Sequence, residues 1–285
     1  ITSTFALHFP LILVQHFPRQ VSIMLQFPEI NPIAFQLGPL AVRWYGLMYL
    51  AGFVSAYVYL CREVKRQRLN LSCEGVGDLL FVGIFGVVLG GRLGYALLYN
   101  FTYYMHHPLE ILHIWQGGMS FHGGLFGVVI GVVLFCRKRG YAIGPIADVL
   151  VIATCFGLFF GRIGNFINGE LWGRVTDVPW GMIFPSGGDL PRHPSQLYQA
   201  ICEGPVLFSV LTLARRIAPA AWSTFYTFIA AYALIRFGLE FFRQPDSHLG
   251  LIAGGLSMGQ LLSIPMFCIG CIGVWFVHRV KNENS

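Results

Sequence analysis

Charged side chains are scarce in this chain: 19 Lys and Arg and 13 Asp and Glu among 285 residues, or 11%. Soluble globular domains carry about 25%, so an ordinary water-exposed domain is excluded. The hydrophobic share is 55% and the mean hydropathy is +0.62, which leaves too little polar surface to cover a core of this size. Basic runs interleaved with aromatics are also missing, and nucleic-acid binding would need them. The formal charge of +6 is therefore read as membrane topology. Cysteine is present, but Cys61, Cys73, Cys136, Cys155, Cys202, Cys268 and Cys271 are odd in number and lie mostly in or beside apolar stretches. They give no disulfide framework. Cys268 and Cys271 form a CxxC without a Cys/His cluster beside it, which fits helix packing better than metal or redox chemistry. Acids are rare in the apolar segments, with Asp148, Glu203 and Glu240 the only ones well inside. No metal or cofactor is expected, and neither is a serine-hydrolase nucleophile elbow.

What is there is long apolar sequence. Runs cover roughly residues 42–61, 79–99, 119–136, 146–165, 197–214, 222–242 and 252–278, each near the ~20 residues needed to cross a bilayer. The expected fold is an all-α polytopic membrane protein with seven transmembrane helices. The fifth is the weakest, because Glu203 and Pro205 interrupt it. Basic residues are unequally shared among the connections: Arg62, Lys65, Arg66 and Arg68 follow the first run, Arg137, Lys138 and Arg139 the third, Arg215 and Arg216 the fifth, Arg279 and Lys281 the seventh. Residues 100–118 contain neither Lys nor Arg. The positive-inside rule then predicts an outside N-terminus and a cytoplasmic C-terminus. Residues 1–23 make a poor signal peptide and read as an upstream extension or an artefact. Residues 24–41 form an outer N-terminal segment, extended or interfacial around Pro28, Pro32 and Pro39. Residues 42–285 form the seven-helix domain, with a short outer segment around 166–196.

Eight basic residues remain: Arg19, Arg43, Arg92, Arg162, Arg174, Arg192, Arg236 and Arg243. Arg92, Arg162 and Arg236 lie inside apolar runs, where an unpaired arginine costs about 2.5–3.5 kcal/mol on insertion scales. They are expected to face a polar interior. The predicted orientation puts all three in the outer half of outward-running helices, level with Arg43, Tyr45 and His122 at the starts of inward-running ones. Tyr232, Arg236, Glu240 and Arg243 are spaced for one helix face, with Glu240 placed to pair with the arginines. Residues 161–174 combine Arg162, Asn165, Glu170 and Arg174 with four glycines, among them Gly173, a composition suited to irregular backbone beside a polar cavity. Guanidinium beside amide suits phosphate, since arginine offers bidentate donors and keeps its proton. His122, flanked by Gly117, Gly118, Gly123 and Gly124, is a candidate general base. Gly91 to Gly94 echo Gly161 to Gly164, a faint sign of an internal repeat.

Taken jointly, several of these stretches resemble the bacterial phosphatidylglycerol–prolipoprotein diacylglyceryl transferases. They are Arg43-Trp44-Tyr45-Gly46-Leu47-Met48-Tyr49, Gly90-Gly91-Arg92-Leu93-Gly94-Tyr95, the His122 glycine motif, Arg162 to Arg174, Pro191-Arg192-His193-Pro194-Ser195-Gln196-Leu197-Tyr198, Glu240-Phe241-Phe242-Arg243-Gln244-Pro245-Asp246 and Ser257-Met258-Gly259-Gln260. The resemblance runs from about Met24 to the end and leaves residues 1–23 without a counterpart. It implies an enzyme of the bacterial inner membrane that moves a diacylglyceryl group from phosphatidylglycerol to the lipobox cysteine of a prolipoprotein, with its site toward the outer leaflet. It implies catalytic roles for His122, Arg162 and Arg236, and head-group contacts for Tyr45, Arg92, Asn165, Glu170, Gly173, Tyr232, Glu240 and Arg243. The short stretch from Trp180 to Arg192 implies that any soluble arm is reduced here. The competing reading from the residues is a transporter or binding protein for an anionic lipid, which predicts polar groups near the midplane or on both sides.

Overall fold

The computed structural model describes residues 25–245, 252 and 255–283. The expectations for residues 1–23, and those touching Met24 and Asp246, lie outside these. Nine α-helices are present among the described residues: α1 Trp44–Arg66, α2 Cys73–Leu98, α3 Phe101–His106, α4 Phe121–Arg139, α5 Ile143–Ile167, α6 Ser195–Ile201, α7 Leu207–Ile217, α8 Ser223–Leu239 and α9 Met258–Glu283. The α6 and α7 segments are joined without a break by a π-helical turn, Cys202–Val206. Six segments are long and apolar enough to cross a membrane: α1, α2, α4, α5, the joined Ser195–Ile217 and Met258–Lys281. The remaining expected span, the sixth at 222–242, is α8, an apolar helix of 17 residues.

Helix ends follow local chemistry. Ser72 Oγ accepts from Gly75 N and Ser120 Oγ from Gly123 N, each at 3.1 Å, capping α2 and α4; such caps contribute about 1 kcal/mol. Lys65 and Arg66 close α1, and Arg137, Lys138 and Arg139 close α4, where cations favour the helix dipole. Gly140 ends α4 at φ +69°, a conformation that glycine adopts without a Cβ clash.

Small residues set the pairings. Gly86, Gly90 and Gly94 of α2 face Gly123 and Gly127 of α4 so closely that a Cβ at Gly94 would lie 2.7 Å from the Gly123 Cα, and one at Gly90 would overlap the Gly123 carbonyl. This is the close approach that small-xxx-small spacing permits in lipid. Gly52 of α1 meets Gly157 of α5, and Gly270 of α9 meets Ala230 of α8. Buried Leu60, Val64, Val76, Leu79, Cys136, Ile146 and Val149 pack together where α1, α2, α4 and α5 meet. A second group, Ile152, Cys155, Leu207 and Leu211, joins α5 to α7. Leu50, Phe53, Val54, Phe81, Phe85, Phe126 and Ile130 point outward and exposed, which suits helices solvated by acyl chains.

The all-α expectation needs one correction, because four short strands are present. Strands β2 (Ile33–Leu37) and β3 (Leu40–Arg43) form an antiparallel hairpin, and β1 (Leu25–Gln26) pairs in parallel with β4 (Met182–Ile183). The prolines between residues 28 and 39 keep this stretch extended, as expected. Phe27 is buried against Phe166 and Phe184, with ring centroids 5.3 and 5.2 Å apart. The N-terminal strand is thereby anchored over the end of α5.

Candidate active site

The end of α5 carries Arg162 and Asn165, and the start of α1 brings Tyr45 against it, its ring where a Gly164 Cβ would sit. Arg162 Nε donates to Glu203 Oε2 at 2.9 Å. The glutamate side chain is 0% exposed and the arginine 19%. Glu203 lies in the π-helical turn, where Gly204 leaves helical geometry (φ −91°, ψ −105°) and Pro205 withholds an N–H. Such one-turn irregularities recur at functional sites. In the sequence Glu203 and Pro205 stand out as an interruption of the fifth apolar run. A carboxylate within an apolar span needs a partner, and that requirement was the signal available. Glu203 Oε1 has no hydrogen-bond partner among the described residues, and neither Nη of Arg162 is engaged there.

Asn165 Nδ2 donates to Glu170 Oε1 at 2.8 Å, Asn168 Nδ2 to the same oxygen at 3.3 Å, and Gln196 Nε2 to the Glu170 carbonyl at 2.6 Å. Tyr45 interacts with Asn165 and Glu170. From α8, Tyr232 enters the field of Glu203, Arg236, Arg162 and Arg243. Arg236 Nη2 lies 2.6 Å from Glu240 Oε2. Arg236 Nη1, on the same guanidinium, is buried without a hydrogen-bond partner among the described residues. A Cβ on Gly259 would fall 2.9 Å from the Glu240 carboxylate, so glycine lets that carboxylate rest on the first turn of α9, where a negative charge is favoured.

The one-face spacing of Tyr232, Arg236, Glu240 and Arg243 holds for its first three members. Helix α8 ends at Leu239, and Arg243 has passed into an antiparallel bridge with Gly173. Gly173 is hemmed in: a Cβ there would lie 2.5 Å from the Phe242 carbonyl and 2.7 Å from His193. It serves as a backbone crossing, with Gly173 N donating to His193 O at 2.9 Å. Ser195 Oγ and Gln196 hold the strained turn at Leu171 (φ +57°) and Glu170 from the start of α6. Tyr45, Arg162, Asn165, Glu170, Gly173, Tyr232, Arg236, Glu240 and Arg243 thus form one connected polar cluster at one end of the bundle.

Arg92 stands apart from it. Its Nε donates to Ile111 O at 2.8 Å, Nη2 to Glu110 O at 2.7 Å and His113 O at 3.1 Å, and Nη1 to the Gly117 and Gly118 carbonyls at 2.5 and 3.2 Å. Five donors meet five carbonyls, and the guanidinium lies 5.3 Å from the Tyr104 ring centroid. Arg92 organises the segment between α2 and α4 instead of offering donors to a ligand. His122 lies exposed in the first turn of α4 beside Phe121, ring centroids 5.6 Å apart. Among the described residues no hydrogen bond, ion pair or ring contact ties it to the Arg162 cluster.

Outside the spans, Trp180 Nε1 donates to the Tyr198 hydroxyl at 2.6 Å, and that hydroxyl lies 3.1 Å from His193 Nδ1. Indole donates only, so the hydroxyl proton is left for His193, whose Nδ1 accepts as a neutral imidazole. Burial pushes the His193 pKa below its usual value against the opposing pull of Asp177. Arg192 stacks 4.0 Å from the Trp172 centroid and donates to Gly187 O at 2.8 Å. Residues 255–259 do have GxSxG spacing, against expectation, but Ser257 is buried and its Oγ accepts from Gln260 N at 3.2 Å as a turn at the start of α9. A serine buried in a helix-capping turn is not the exposed nucleophile of an elbow. No group of three or more potential metal ligands occurs among the described residues.

Residues 32–276 match the family model described as prolipoprotein diacylglyceryl transferase. The chain is 54% identical over 257 residues to a phosphatidylglycerol–prolipoprotein diacylglyceryl transferase of Geobacter sulfurreducens, an alignment covering 90% of this chain and 99% of that protein. It is 52% identical over 251 residues to the protein of that name from Bordetella avium, covering 87% and 95% of the two chains. With the one from Coxiella burnetii it shares 49% over 264 residues, 91% and 100% of the two chains.

Proposed function

The chain belongs to the prolipoprotein diacylglyceryl transferase family, and from that premise we propose how its polar cluster performs the transfer. Phosphatidylglycerol donates its diacylglyceryl group to the lipobox cysteine thiol of a prolipoprotein. The sulfur attacks the glyceryl carbon attached to phosphate, the C–S bond forms, the C–O bond to phosphate breaks, and glycerol phosphate leaves with the electron pair. A thiol with a pKa near 8.5 must first give up its proton, and the departing phosphate must have its charge held where water is scarce.

One observation carries the assignment of the site: Arg162 and Arg236 are each anchored on one edge by a buried carboxylate while other guanidinium nitrogens stay unengaged. Such an arginine is preorganised, meeting a phosphate without reorienting. Asn165 and Tyr45 border the same space, with Glu170 fixing the Asn165 amide. Tyr232 lies within the field of both arginines. Gly173, Glu240 and Arg243 hold the surrounding chain. In this reading Arg162 and Arg236 bind and neutralise the phosphate, and His122 takes the thiol proton at the mouth of α4, a role resting on family resemblance.

The basic ends of α1, α4 and α7 favour a cytoplasmic placement, which puts the cluster in the outer half of a bacterial inner membrane. Helix α8, at 17 residues, stands at the short end of the spanning range and supplies the seventh crossing. The purified protein, incubated with phosphatidylglycerol and a lipobox peptide, is expected to yield a diacylglyceryl thioether by mass spectrometry with one glycerol phosphate per adduct. Lipid binding without adduct, where a relative gives one, would overturn the assignment in favour of a lipid-binding protein.

A further inference from the structure

A polar cavity lies at the end of the bundle opposite the Arg162 cluster. It has a volume of about 280 Å³ and is bordered by Arg66, Gln67, Asp148, Thr212, Arg215 and Arg216. Helix α1 alone separates it from Tyr45 by about 30 Å at 1.5 Å per residue, so it shares no residue with the site above. Its acceptors are already used. Asp148 Oδ2 takes Trp222 N at 2.9 Å and Oδ1 takes Phe225 N at 2.7 Å, capping α8. Gln67 Nε2 donates to Glu63 Oε2 at 2.6 Å, as does Arg66 Nη2 at 2.9 Å, and Gln67 Oε1 accepts from Arg215 Nη2.

The donors are not used up. Arg215 Nη1 and Thr212 Oγ1 are both buried without a hydrogen-bond partner among the described residues, and Arg216 lines the same space. Leaving such groups unmet costs about 1–3 kcal/mol each, more for a charged one. Counting Glu63 behind Arg66, three guanidinium groups face two carboxylates. A ligand that only accepts hydrogen bonds and carries negative charge satisfies this set. Its volume is slightly below the ~300 Å³ at which ordinary small-molecule pockets begin, which suits a head group more than a larger metabolite. Basic pockets between helices at the cytoplasmic side hold anionic lipid head groups elsewhere.

We propose that this cavity is a phosphate-binding site, distinct from the catalytic cluster, that takes the head-group phosphate of an anionic lipid or free phosphate. The full-length protein in uncharged detergent tests it with two probes. Native mass spectrometry compares retention of dioleoyl phosphatidic acid with that of dioleoyl phosphatidylcholine, and thermal unfolding compares inorganic phosphate with chloride at matched ionic strength. Wild type is expected to retain phosphatidic acid at least tenfold better than phosphatidylcholine. Arg216→Gln and Thr212→Val should lower that preference severalfold, in the wild-type chain and again in an Arg162→Lys background, so a ligand in the catalytic cluster is told apart. Arg215→Gln should abolish it, and the other two variants decide the matter if that one fails to fold. A rise in unfolding midpoint with inorganic phosphate as well assigns free phosphate as a ligand; lipid preference alone assigns the lipid. Equal retention of both lipids together with no phosphate effect, or a preference lost in Arg162→Lys and untouched by Arg216→Gln and Thr212→Val, would overturn the proposal.

Discussion

Arg162 is held by Glu203 across 41 residues of sequence, and the pair explains how a guanidinium can wait in an apolar span with donors to spare. Lysine at 162 would keep the charge but lose the planar fork. Arg162→Lys is expected to lower kcat/KM about 100-fold or more, the usual effect of losing an electrostatic donor in a site of this type. Glu203→Gln should lower kcat through misplacement of Arg162. In a double-mutant cycle the two losses should be well short of additive, since both variants damage one unit; full additivity would refute the coupling. His193 gives a pH signature. Its folded pKa is depressed by burial, so the unfolded chain binds the extra proton first. The stability it contributes is complete above the unfolded value near 6.5 and falls as pH drops below that value toward the folded one. Unfolding midpoints from pH 7.5 to 5 should show this decline, and His193→Gln should reduce it. At this scale the sequence exposed Arg162, Asn165, Tyr232, Arg236 and Glu240, because polar groups in apolar runs need partners. It did not separate Arg92 from them, since a guanidinium satisfied by five carbonyls and one with donors to spare look alike in one dimension. Glu203 stayed hidden because its partner lies on another helix.

Among the elements, the pairing of α2 with α4 rests on glycine. Gly90→Leu would drive a side chain into the Gly123 carbonyl and push the helices apart. It is expected to cost several degrees in unfolding midpoint and to lower activity through displacement of His122 at the start of α4. Gly83→Leu on the same helix, where a Cβ meets nothing within 4 Å, should leave both near wild type; equal effects would refute the interface. The long helices were legible from apolar runs, though some ends differ: the Ser72 cap and the basic last turns of α1 and α4 carry helix beyond the apolar stretch, while α8 and the start of α9 fall short of theirs. The two-residue strands β1 and β4 were not legible. They have no periodicity, and their pairing depends on Phe27 docking over α5. The π turn at Cys202–Val206 looked like weakness in the span, although it is what delivers Glu203 to Arg162.

For the whole molecule, the scarce charges fall at two ends. Most basic residues gather where α1, α4 and α7 finish, and the polar cluster forms where α1 begins and α5 and α8 finish. Between them the outward faces are apolar. This division is what an enzyme needs if it draws one substrate laterally from the lipid and receives another from the water-exposed side. The family match, and not this layout of charge, sets the transporter reading aside. The most direct test of the central claim is the position of the phosphate in a structure determined with phosphatidylglycerol bound. It is expected within hydrogen-bond distance of Arg162 and Arg236 Nη1, with Arg92 still on its five carbonyls. A phosphate seated on Arg92, or away from both Arg162 and Arg236, would contradict it.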